Sequence, residues 1–267
     1  GSTNGWIPIE DDTVTDAPVK GNDEGIFGFG TDASAVTGVT NLVSNSGVVA
    51  TDVSAVGTAR RYLGACEYGE DKGIIGFGTT GSKVGMTNLV SNAGVVATDV
   101  TAVGTAREGI AACSYDNDKG IFGFGEDASG YVSMSNLVSN AGVVATDVTG
   151  VGTARQTLAA CEYGKDKGIF GFGTTGSDVG MTNLVSNAGV VATDVTAVGT
   201  ARNLPAACGY GYDKGIFGYG TGAADYSLTN KVSNTGVVAT DTAGVGTARY
   251  ILAATQYGQD KGIFGYG

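Results

Sequence analysis

The sequence predicts an all-β propeller of four-stranded antiparallel blades, and three observations carry that reading. First, one phrase recurs along the chain of 267 residues. Val-Ala-Thr-Asp places its Asp at Asp52, Asp99, Asp147, Asp194 and Asp241, at spacings of 47, 48, 47 and 47. A self-similar period of that size marks stacked supersecondary units. Second, 47 glycines punctuate the units, and each Gly inside a helix costs about 1 kcal/mol relative to Ala. Third, Val, Ile, Thr, Phe and Tyr fill the gaps, and these residues suit strands. One small sheet cannot bury both its faces, whereas units stacked in a ring do so and leave only short edges.

Each unit divides into four runs, A to D. In the second unit, run A is expected over Arg60 to Tyr68. A Gly69-Glu70-Asp71-Lys72 turn leads to run B, Gly73 to Gly78. A polar loop, Thr79 to Gly85, leads to run C, Met86 to Asn92, and run D is Gly94 to Val100. The period of two in run B of the first unit turns Phe27 and Phe29 to one face. Pro205 falls inside a run A and Pro18 in what reads as another. Pro removes a ladder bond, so run A is expected at a sheet edge, innermost and lining the channel.

At these residues the chain resembles kelch repeats. Arg155, Leu158-Ala159-Ala160, Asp166-Lys167-Gly168, Ile169-Phe170-Gly171 and Asp194 stand in the kelch order. The units are also similar to Gly-rich kelch-like repeat proteins of bacteriophage and bacterial genomes. Two features depart from kelch. The double Gly is split by an aromatic, as in Gly171-Phe172-Gly173, and the repeated Trp is missing, Trp6 being the only one. The resemblance covers roughly residues 13–267. It implies a kelch-like propeller, with the loops before run A on a partner-binding face.

Run B occurs six times and runs C and D five times. A sixth run A is expected over Thr13 to Lys20. Six blades are therefore expected, five being the alternative. Residues 5–10, with Trp6, Ile7 and Ile9, would supply a strand beside the last run B. The N- and C-terminal strands would then close the ring. The chain reads as one domain over 1–267, with a closing strand in 1–11 and repeats from about 12.

Composition narrows the chemistry. The chain has no His, which excludes Ser-His-Asp and Cys-His catalysis and His-ligated zinc. Lys plus Arg is 15 and Asp plus Glu is 26, giving a net charge of −11. That balance argues against nucleic acid and anionic membranes as partners. Cys66, Cys113, Cys161 and Cys208 occupy one position in four successive units. They are expected to be small, buried and reduced, too far apart to bridge. The turn residues Asp118-Lys119 and Asp213-Lys214 carry one carboxylate per turn next to Lys, which is turn chemistry and too sparse for calcium.

Asp and Arg recur eight residues apart, as in Asp99 and Arg107. One reading is an Asp–Arg bond tying down each D–A loop. The other is a binding ring for anionic ligands formed by Arg60, Arg107, Arg155, Arg202 and Arg249. The B–C loops differ most between units and carry Tyr131 and Tyr226, where recognition is expected. No catalytic residue, metal ligand or cofactor is expected. The chain is expected to be a non-catalytic recognition or structural module, monomeric, on a virion or cell surface, meeting a protein or glycan. The alternative is a carboxylate-dependent carbohydrate-active enzyme.

Overall fold

The computed structural model describes residues 22–267 apart from residues 33, 55, 102 and 197. Among them no residue is helical, and small antiparallel sheets recur in tandem. Unit 1 contributes β1 (Gly25–Thr31) and β2 (Val36–Val43). Unit 2 contributes β3 (Gly64–Tyr68), β4 (Lys72–Gly76) and β5 (Thr87–Val90). Unit 3 contributes β6 (Ala111–Tyr115) and β7 (Lys119–Gly123), a small loop hairpin of β8 (Glu126–Asp127) and β9 (Gly130–Tyr131), and β10 (Ser135–Val138). Unit 4 holds β11 (Ala159–Tyr163), β12 (Lys167–Gly171) and β13 (Thr182–Val185). Unit 5 holds β14 (Ala206–Tyr210), β15 (Lys214–Gly218) and β16 (Thr229–Val232). Unit 6 holds β17 (Ala253–Tyr257) and β18 (Lys261–Gly265). The strand expected over 13–20 and the closing segment 5–10 lie outside the described residues.

In units 2 to 5 the sheet order is A–B–C, so run A is an edge, as Pro suggested. Pro205 itself is buried just ahead of β14, not inside it. Run A is shorter than expected because Tyr62 takes φ 55°, which interrupts extended backbone. Run D forms no ladder. In unit 2 it meets β5 only at Val90↔Val96 and Thr87↔Val100. Three steps along β5 (87 to 90) face four along run D (96 to 100), so run D bulges. A side chain fills the gap: Asn88 Nδ2 donates to the Ala97 carbonyl and to Asp99, each at 2.9 Å.

Run B ends at a left-handed aromatic. Phe77 has φ 61° and is followed by Gly78 at φ 99°. The turn reverses the expected alternation of faces. In unit 3, Phe122 reaches back to Phe77 of unit 2, with ring centroids 5.2 Å apart. Phe124 reaches forward to Phe170 of unit 4, also at 5.2 Å. The expectation that Phe27 and Phe29 share a face is corrected on the same ground, since Phe29 has φ 63°. Phe27 meets Tyr266 of unit 6, while Phe29 lies under Arg60 of unit 2. The apolar cores accordingly lie between neighbouring sheets; one unites Cys113, Ile121 and Phe124 with Leu158, Phe170 and Val185.

Close approach of successive sheets needs bare backbone at one position. A Cβ on Gly120 would lie 2.5 Å from Cys66 Sγ and 3.1 Å from the Glu67 carbonyl. The same meeting recurs between Gly168 and Cys113, Gly215 and Cys161, and Gly262 and Cys208. It recurs once more between Gly25 of unit 1 and Thr255 of unit 6.

Unit 6 therefore touches unit 1 as each of units 2 to 5 touches its successor. The Gly258 N–H donates to the Asp23 carbonyl at 2.7 Å, matching Gly69 to Asp118 and Gly164 to Asp213. Tyr266 packs on Phe27 with centroids 5.3 Å apart. Its Oη donates to Asn41 Oδ1 at 2.8 Å.

Candidate functional site

Inward of the B–C corner in units 2 to 5, one Arg gathers four segments. Arg107 Nε donates to the Phe124 carbonyl at 3.0 Å, Nη1 to the Thr105 carbonyl at 3.3 Å and Nη2 to Asn136 Oδ1. Its guanidinium lies 4.4 Å over the Phe77 ring of unit 2. Arg60, Arg155 and Arg202 repeat this set with Asn88, Asn183 and Asn230. All four Arg residues are 0% exposed. Their donors are occupied inside the protein, so they brace the sheets and present no surface to an anionic ligand. Arg249 differs. It is half-buried, lies 4.9 Å over Tyr219, and its Nε is buried without a hydrogen-bond partner among the described residues.

The carboxylate beside each Arg comes from its own unit. Arg107 faces Asp147 at 3.5 Å and Arg60 faces Asp99 at 3.9 Å. The expected pairing of Asp99 with Arg107, eight residues apart, is thus corrected. The bulge of run D turns Asp99 back over its own sheet, where Thr58 Oγ1 donates to it at 2.6 Å. Burial works to raise the Asp99 carboxyl. Bonds from the Thr58 hydroxyl, the Asn88 amide and the Thr58 N–H, with the Arg60 charge, outweigh it and hold it below the ordinary 3.8. Asp147, Asp194 and Asp241 are lowered by equivalent groups. Burial pulls the Arg107 guanidinium down to about 10, which leaves it charged at neutral pH.

The recurring Asn was not among the residues singled out from the sequence. Its signal was present. Asn41, Asn88, Asn136, Asn183 and Asn230 stand at one position in each of the five apolar C runs, and a repeated polar residue in a buried strand needs a partner.

The two residues after each Arg form one end of the assembly. Gly109 N–H donates to the Tyr62 carbonyl, Thr157 to Gly109, Leu204 to Thr157 and Ile251 to Leu204, at 2.8–3.3 Å. These peptides hand one hydrogen bond from unit to unit. All five residues are left-handed, with φ between 53 and 63°. For β-branched Thr157 and Ile251 that conformation is strained. The preceding residues join the B–C loops to the same end through the bridges Arg61↔Thr79, Glu108↔Glu126, Gln156↔Thr174 and Asn203↔Thr221. Neighbouring loops also touch: Lys83 Nζ bonds Glu126 Oε1 at 2.8 Å and the Asp127 carbonyl at 2.7 Å.

Tyr131 stands on this end, 37% exposed. Tyr226 is half-buried, its N–H bonded to the Gly220 carbonyl. Tyr62, Tyr250 and Ile251 are exposed there too; they were not singled out from the sequence. Their signal is variation, because the pairs Arg61-Tyr62, Glu108-Gly109, Gln156-Thr157, Asn203-Leu204 and Tyr250-Ile251 differ in every unit. At the opposite end, the A–B turns pair Lys with Asp, as Lys214 Nζ with Asp213 at 2.7 Å.

The four Cys are free thiols. Burial raises Cys66 and Cys208 to about 12 and Cys113 and Cys161 well above 9.0. Such thiols are poor nucleophiles. Among the described residues, no group of three or more Cys, Asp or Glu side chains is placed to hold a metal ion. No known family model matches the chain, and no curated protein does.

Proposed function

We propose that the chain is a kelch-like, six-bladed propeller acting as a non-catalytic recognition module, with its ligand-binding face at the Arg61–Tyr62 end. The ligand is a protein or glycan met at a surface. Closure is supported by the four kinds of contact between units 6 and 1, and by the cavity that β3, β6, β11, β14 and β17 line together. It is further supported by Tyr266. The sequence holds no Arg before Arg60, and Tyr266 Oη reaches the oxygen of Asn41 that a guanidinium reaches in units 2 to 5. Closure by residues 5–10 belongs to the same proposal.

The observation that carries the function is where the units differ. Val48, Val95, Val143, Val190 and Val237 are 63–65% exposed yet identical in all five copies. Exposure alone has therefore not diversified this chain. Diversity gathers at two residues after each Arg and across the adjoining B–C loop. The opposite end varies less: its A–B turns differ mainly at Asn22, Glu70, Asn117, Lys165, Tyr212 and Gln259, with Asp116 in place of the first Gly in unit 3 and Glu24 in place of Lys in unit 1. Diverse side chains on a rigid repeated frame are the arrangement of a recognition surface.

The matched test replaces left-handed residues at each end by Gly, which accepts positive φ without strain. Tyr62→Gly with Ile251→Gly should weaken binding on glycan and surface-protein arrays by at least about tenfold, with the melting temperature held. Glu70→Gly with Tyr212→Gly should leave binding intact. Equal loss from both pairs, or none from the first, contradicts the assignment.

A further inference from the structure

Each D run and the loop after it bear exposed valines on the outer rim. Unit 2 shows Val95 at 64%, Val100 at 45% and Val103 at 42%. Unit 3 shows Val143, Val148 and Val151 at 63, 46 and 39%. Units 1 and 4 repeat the trio. In unit 5 Thr242 replaces the middle one, so the fold accepts Thr at such a place. Folding gains little from a valine left two-thirds in water. Strand preference does not require Val either, since Thr is also β-branched.

The rim is also uncharged. Residues 93–106 hold one charged side chain, Asp99, and residues 141–154 hold one, Asp147. Each is bonded inward to Asn, Thr and Arg. No Lys or Pro guards these outer edges, although such residues are how exposed strands ordinarily avoid pairing.

We propose that the rim is the contact surface between copies of this chain, which associate side by side through their D runs. Charge selects that occupant. At a net charge of −11, two copies repel across most of their surfaces, and the valine strips are where they meet without opposing like charges. A basic partner would be drawn instead to the charged turns. Repetition selects it too, because a second copy carries the same strip at the same spacing and so forms a self-complementary contact. The proposed association departs from the monomer expected from the sequence and is independent of any ligand at the other end.

Sedimentation equilibrium of the full chain tests it. Association should increase with protein concentration and strengthen between 0.05 and 0.5 M salt, as roughly ten-ångström screening at 0.1 M shortens further. Val95→Thr, Val143→Thr and Val190→Thr together keep charge and β-branching. They should raise the dissociation constant by at least about tenfold, with the melting temperature unchanged. A chain that stays monomeric throughout, or a triple variant that associates as the parent does, overturns the proposal.

Discussion

A buried guanidinium with all three nitrogens hydrogen-bonded is a joint, and its loss strands several acceptors at once. Arg107→Ala would leave Asn136 Oδ1, the Phe124 carbonyl and Asp147 without their cation. Breaking a buried charged group of this kind costs about 3–5 kcal/mol. Arg107→Lys restores charge but not the planar fork, and should still cost about 2 kcal/mol in urea unfolding. The carboxylates make a separate prediction. Asp99, Asp147, Asp194 and Asp241 sit below 3.8 in the fold, so the unfolded chain binds their protons at higher pH. Their contribution is complete above the unfolded value and is lost as pH falls through the lower folded values. The melting temperature should therefore drop steeply from about pH 5 downward, and Asp147→Asn should flatten that slope in a calorimetric pH series.

Between elements, the close approach of sheets rests on glycine against a small side chain. Gly120→Ala should cost about 1–3 kcal/mol, because its Cβ would meet Cys66 Sγ at 2.5 Å. Cys66→Ala should offset part of that loss, and a double-mutant cycle reads the coupling. These joints explain what could be read in the sequence. The period and the six B runs follow from Gly and β-branched residues, whose signals are local; the edge position of run A was expected rightly but on Pro205, which lies just outside β14. The run D bulge does not, because Asn88 and Asp99 make it together from different strands. The facing of Phe27 and Phe29 was misread for a related reason: left-handed Phe29 reverses alternation, and only glycine announces positive φ locally. The Asp99–Arg107 pair failed likewise, as nearness in sequence stood in for a partner 39 residues away, at Arg60 (99 − 60 = 39).

For the whole molecule, the claim on which the rest depends is that six units meet end to end. Only a closed ring gathers the varied residues of units 2 and 6 around one mouth and sets the valine strips outward at even intervals. Tyr266 fits that account through its hydroxyl, which bonds Asn41 of the unit without an Arg, whereas Tyr219, the other Tyr at this position, lies under Arg249. A crystal structure of the full chain tests closure most directly. The account predicts six sheets around one axis, with the Gly258 amide and the Asp23 carbonyl within hydrogen-bonding distance, near 2.7 Å. Five sheets around the axis, or an open array with these two groups apart, would contradict it.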